Sequence, residues 1–257
     1  MCGSAGRAIP EPVKRLALPC LLALCACPPP KPLPPPEPPT RCEAKLDELM
    51  LFSKLGTGVK AKTIENVSEL IGGGYAQGRV GDVLLANDKV RVVIQQPTRT
   101  ISPTPYGGAI IDADLVRDGQ PGRDTFGKIA PLYAFGRTPL VNKVEILEDG
   151  SKGGYAVVAA TGTDTVLDYI NVTNVLSDYL GAVELRSDPN AELPLLITTY
   201  YVLSPGETRV RMLTAYCNKG STPITTMTGD IIESGGESEF FNPQGCTGGM
   251  GALGCLV

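Results

Sequence analysis

Residues 195–216 read LLITTYYVLSPGETRVRMLTAY. Two runs rich in β-branched and aromatic residues flank Ser204-Pro205-Gly206-Glu207. Proline presets φ at the second position of a β-turn, and glycine supplies the positive φ that a type II turn needs at its third. The stretch predicts an antiparallel hairpin, with strands over 195–203 and 208–216. Val210, Met212 and Leu213 are the core candidates of its second strand.

The same logic extends toward the N-terminus. VLLA at 83–86 runs into Asn87-Asp88 and then into KVRVVIQ at 89–95, a second hairpin. In its second strand Val90, Val92 and Ile94 alternate with Lys89, Arg91 and Val93, which predicts one buried face. Gly107-Gly108 introduces a strand at 109–112. Further strands are expected at 143–147 and 155–161, joined through the glycines at 150, 153 and 154, and at 182–186. Residues 117–139 hold four glycines and three prolines and read as a long irregular excursion. Residues 166–181 fit neither period cleanly. Helical spacing of Leu46, Leu49, Met50 and Leu55 predicts one short helix over 43–55, and 64–71 could add a helical turn before the Gly72–Gly74 break. Eight or nine strands with short turns point to a mainly-β fold, an antiparallel β-sandwich.

Ahead of this domain lies a different kind of sequence. Arg7, Lys14 and Arg15 precede the apolar run LALPCLLALCA at 16–26, and Cys27 comes directly after it. A basic segment, a short apolar run and a small residue before the cut are the parts of a secretory signal. The run is shorter than the ~20 residues that a spanning helix needs. Leu24-Cys25-Ala26-Cys27 resembles the lipobox of bacterial lipoproteins, with Cys27 as the lipidated residue. Cys25 fits less well, because Leu24 would then occupy the position that wants a small side chain. Residues 28–40 contain nine prolines in thirteen positions, which excludes helix and central strand. A polyproline II stalk of that length would hold the domain roughly 40 Å from the lipid. The expected organisation is a signal peptide over 1–26, an anchor and stalk over 27–41, and a helical lead-in over 42–74. The sandwich then covers 75–233, and a glycine-rich tail covers 234–257. The tail has seven glycines and no closing strand, so the chain is expected to continue further.

Composition narrows the function. The chain has 27 acidic and 23 basic side chains, a formal charge of −4, and the leader removes basic residues from the mature form. That balance argues against nucleic acid as a partner. Of eight cysteines, Cys42, Cys217, Cys246 and Cys255 lie beyond the leader and the anchor. In an oxidising envelope they are disulfide candidates, with three possible pairings, and their spacing suits zinc poorly. There is no histidine and no tryptophan. The first absence removes histidine acid–base and nucleophile systems, and the second leaves any sugar platform to Tyr75, Tyr106, Tyr133 and Tyr155.

Two segments together carry a family likeness: GDVLLANDKVRVVIQQP with YGGAIIDADLVR, and ITTYYVLSPGETRVRMLTAYCNKGSTPI running into Gly229-Asp230. Over roughly residues 75–232 they resemble the supersandwich domains of the galactose-mutarotase kind. They are similar also to uncharacterised bacterial lipoproteins that carry such a domain behind a lipobox. The likeness implies a supersandwich-like fold and a lean toward carbohydrate. It does not carry over the mutarotase activity, which uses a histidine that this chain lacks.

Three residue groups are site candidates. Asp112, Asp114, Asp118 and Asp124, with glycines at 119 and 122, could supply the oxygens of a Ca²⁺ loop, the one cofactor considered. The alternative is a loop in which they cap turns and pair with Arg117 and Arg123. Asp230, Glu233, Glu237 and Glu239 could include a glycosidase carboxylate pair. Arg79, Arg91, Arg99, Arg117, Arg123 and Arg137 could form an anion-binding patch, or be solvated singly. The expectation is an envelope lipoprotein, on the outer rather than the inner membrane. Its domain would be a non-catalytic binding or structural module for polysaccharide or an envelope protein. A carbohydrate-active enzyme or its accessory domain, and the N-terminal part of a larger adhesin-like surface protein, are the other readings.

Overall fold

A computed structural model describes residues 41–44, 56–117, 119–134, 136–167 and 191–234. They form ten strands: β1 (Lys60–Thr63), β2 (Val83–Ala86), β3 (Val90–Ile94), β4 (Ile110–Leu115), β5 (Phe126–Tyr133), β6 (Arg137–Glu148), β7 (Ala156–Val166), β8 (Leu195–Leu203), β9 (Arg211–Asn218) and β10 (Thr228–Ser234). Every pairing is antiparallel, and β1 to β9 lie side by side in chain order. The mainly-β expectation holds. The expected helix over 43–55 beyond residue 44, the strand at 182–186, residues 166–181 beyond 167, and the leader and stalk up to residue 40 lie outside the described residues. The helical turn near 64–71 is a short 3₁₀ turn, Val67–Glu69.

The sheet folds over on itself. Val83, Leu85, Val92, Ile94 and Ile110 from its first half meet Val141, Val158, Ala160, Tyr201 and Leu203 from its second in one core. The turnover falls at β5, which holds β4 through the single pair Ile110↔Ile129 and β6 through Tyr133↔Arg137. β10 runs along β5 from Thr228↔Tyr133 to Ser234↔Phe126.

Both long hairpins form as their turn residues dictate. Gly206 has φ +69°, and the Glu207 amide donates to the Ser204 carbonyl at 3.3 Å, which closes the turn between β8 and β9. β3 departs from expectation, because it is buried on both faces. Val93 joins Leu84, Ile111 and Ala130 in a second core, covered by Ile64 and Ile71 from the chain ahead of β2. The excursion expected over 117–139 is overturned in part, since β5 and the start of β6 lie within it. β1 places part of the sheet ahead of residue 75, the boundary expected for the sandwich; its Lys60 and Lys62 hide it from an apolar pattern.

Three contacts join parts of the chain far apart in sequence. The Gly108 carbonyl accepts from the buried Tyr201 hydroxyl at 2.5 Å. Gly108 has φ +73°, and a Cβ there would lie 2.7 Å from Val141 and 2.9 Å from Ala160, so only glycine allows this approach. Cys42 and Cys217 are disulfide-bonded across a separation of 175 residues, which fixes one of the three pairings; Cys246 and Cys255 lie outside the described residues. Asn87 is the third contact. Its Oδ1 accepts from the amides of Lys89 and Val90 at 2.8 and 2.9 Å, closing the β2–β3 turn. Its Nδ2 donates to the Ser204 and Glu207 carbonyls at 2.9 and 2.8 Å, in the β8–β9 turn.

Asn87→Ala strands buried donors and acceptors at both turns. It should cost roughly 2–3 kcal/mol in denaturant unfolding. A loss below roughly 0.5 kcal/mol would show that water replaces these bonds at little cost.

Candidate functional site

The site begins with a hairpin register. β3 pairs with β4 so that Arg91 faces Asp114. The Arg91 guanidinium donates to Asp114 Oδ2 at 3.2 Å, and Arg117, three residues past Asp114, donates to Oδ1 at 2.5 Å. The same carboxylate accepts the Leu115 amide at 2.8 Å and the Arg123 amide at 3.0 Å. Its side chain is 4% exposed. Burial would raise the Asp114 carboxyl, but the Arg123 amide and the Arg117 and Arg91 guanidinium groups outweigh it and hold the group below its ordinary value. Asp114 thereby organises the connection from β4 to β5.

Beside that cluster a cleft of about 560 Å³ opens between the layers. Val92, Ile110, Phe126 and Ile129 floor one side together with Ile232, which lies beside Ile129 on β10, and Val210 and Met212 face them from the β9 segment. Arg91, Asp114, Arg117 and Arg123 form its charged rim. The cleft exists because β4 and β5 diverge after their single pair.

Asp124 bridges the divergence. Its Oδ1 accepts the Phe126 amide of β5 at 2.9 Å and the Ala113 amide of β4 at 3.3 Å. Its Oδ2 is buried with no hydrogen-bond partner among the described residues. Burial first, and then the nearby charges of Asp112 and Asp114, push this carboxyl up to about 6. Asp112, fully buried, accepts the amides of Gln77 at 2.7 Å and Gly78 at 2.9 Å.

Of the four aspartates considered for Ca²⁺, Asp112 and Asp124 hold backbone amides, Asp114 holds two amides and two arginines, and Asp118 lies outside the described residues. Among the described residues no group of three or more acidic, cysteine or histidine side chains is placed to hold a metal. Of the six arginines, the structure brings Arg91, Arg117 and Arg123 together. Arg99 is paired with Asp82 at 2.8 and 2.7 Å, Arg137 with Asp164, and Arg79 is exposed. Asp230 and Glu233 sit three apart on β10 and so point to opposite faces, while Glu237 and Glu239 lie outside the described residues. Among the described residues the tyrosines expected for a sugar platform, Tyr75, Tyr106, Tyr133 and Tyr155, do not gather into one. Tyr133 is buried against Asp164, Tyr155 packs beside Val157, and Tyr106 reaches the Val166 carbonyl at 3.5 Å.

Sequence reasoning missed Lys128. It is 1% exposed, and its ammonium donates to the Ile101 and Thr104 carbonyls and to Gln95 Oε1. Burial pulls it down to about 8. Its three oxygen partners make it an anchor for the chain over 99–106. Searches against protein-family models, curated proteins and solved structures gave no match.

Asp124 has a pH signature with a definite sign. Between its ordinary value of 3.8 and about 6 the folded protein retains a proton that the unfolded chain releases. Its contribution to stability is therefore complete at low pH and lost as pH rises through that window. Asp124→Asn should flatten this part of the melting-temperature profile and gain stability relative to wild type above pH 6. Profiles that stay parallel from pH 4 to 7 would contradict the assignment.

Proposed function

We propose that this chain is a membrane-anchored envelope lipoprotein whose β-sandwich is a binding module, with the cleft beside Asp114 as its ligand site. The cleft carries the reading. Its volume lies in the ~300–1,000 Å³ range usual for small-molecule sites, and its floor is apolar with a few polar groups at one edge. Asp114, the carboxylate on the cleft rim, is engaged by two amides and two arginines, which suits bracing a ligand site. Among the described residues Phe126 is the one ring in the lining, so the floor suits aliphatic matter better than a stacked sugar. The anchor rests on the basic leader, the apolar run and Cys27, with the proline stalk behind them.

A neutral solvatochromic dye titrated into the purified protein should show saturable, blue-shifted emission. Met212→Glu puts a charge on the floor and should weaken that binding roughly tenfold or more, with the circular dichroism spectrum unchanged. No saturable signal from the wild type would sink the binding reading. For the anchor, cells fed a palmitate analogue should label the protein. Cys27→Ala should lose the label and Cys25→Ala should keep it; label retained by Cys27→Ala would refute the lipidation site.

A further inference from the structure

We infer that the cleft takes a single-chain amphiphilic anion of the fatty-acid type, with its aliphatic chain along the floor and its carboxylate at the arginine rim. This rests on the cleft being a binding site and adds the chemical class of its ligand.

Charge at the rim is the first support. Among the described residues three guanidinium groups meet one carboxylate, so the described lining carries a net charge of +2. The Asp114 oxygens already accept from two amides and two arginines, which leaves little capacity for further donors. Arg123 uses its backbone amide on Asp114, while its exposed guanidinium forms no ion pair with a described residue.

The second support is an unmet need. The Nε–H groups of Arg91 and Arg117 are buried without a hydrogen-bond partner among the described residues. Buried donors are normally satisfied, and these belong to side chains that line an open cleft. An anion at the rim would bring acceptor oxygens to this donor-rich edge, and guanidinium binds carboxylates with paired, charge-assisted bonds.

Third, the floor selects the body attached to that anionic head. Ile129, Val210 and Met212 are aliphatic or thioether side chains left half-buried against the core residues Val92 and Ile110. A bare inorganic anion would leave this surface wet, whereas an alkyl chain buries it. The opposed requirements, apolar along the floor and anionic at one end, describe an amphiphile.

Titration calorimetry of the whole protein with decanoate, decanol and decyltrimethylammonium tests the inference. Decanoate should bind roughly tenfold tighter than decanol, as expected for a charge-assisted contact at a partly buried site, and the ammonium should bind weakest. Arg123→Glu should erase the preference for decanoate over decanol, while Lys152→Gln, an exposed cation outside the lining, should retain it. Equal affinity for decanoate and decanol overturns the anionic assignment and leaves the binding site standing. No binding of any of the three, with no dye signal, overturns the site itself. Binding to anionic two-chain phospholipid vesicles that decanoate fails to compete away would replace the free anion with a membrane surface and refute the inference.

Discussion

The amide side chain of Asn87 joins two turns that lie more than a hundred residues apart in the chain. Through Oδ1 it closes the β2–β3 turn, and through Nδ2 it holds the β8–β9 turn. One hairpin belongs to the first half of the sheet and the other to the second. A folded-over sheet needs its halves to stay in register at their ends as well as across their core. Apolar side chains supply cohesion without direction. Directional bonds from Asn87, and from Tyr201 to Gly108, fix which residues face each other. The Cys42–Cys217 bridge adds a covalent constraint on β9.

The parts of the fold that were legible are those whose turns announce themselves locally. Pro205-Gly206 and Asn87-Asp88 specify backbone conformation within four residues, so both hairpins could be placed. Gly107-Gly108 marked the entry to β4, although the reason for the second glycine is a contact with Val141 and Ala160 far away in sequence. β5 was hidden because it violates the strand pattern. It contains Gly127, a buried lysine and Pro131, and its order comes from partners at 95, 101 and 104 and from β10. β10 places Thr228, Gly229 and Asp230 on the surface and has little apolar content to detect. The two-sided burial of β3 depends on Ile64 and Ile71 folding over its outer face, which no local pattern of β3 encodes.

Legibility of the site failed for a related reason. Grouping residues by type set four aspartates apart as a metal loop and six arginines apart as a patch. The structure mixes the types: Asp114 is shared by Arg91 and Arg117, and its other bonds run to loop amides. The register of the 83–95 hairpin and its neighbour would have set Arg91 against Asp114, so that pair was within reach of the sequence. The cleft was not, because the β9 segment supplies its opposite wall and β10 extends the wall of β5.

The cleft and the buried acids have a single geometric origin. If β4 and β5 paired along their length, their amides would satisfy each other and the layers would close. They pair once and then separate, which leaves Ala113 and Phe126 with donors in need of acceptors. Asp124 meets both with one oxygen, at the cost of a desolvated carboxyl that ionises late. Asp112 does the same for the Gln77 and Gly78 amides nearby. Side chains that resemble a reactive cluster in the sequence are therefore what allows the sheet to stay open. Asp114 then braces the connecting loop and turns two guanidinium groups toward the opening. Replacing these acids with a fully paired ladder would give a tighter sandwich and remove the concave apolar surface with it.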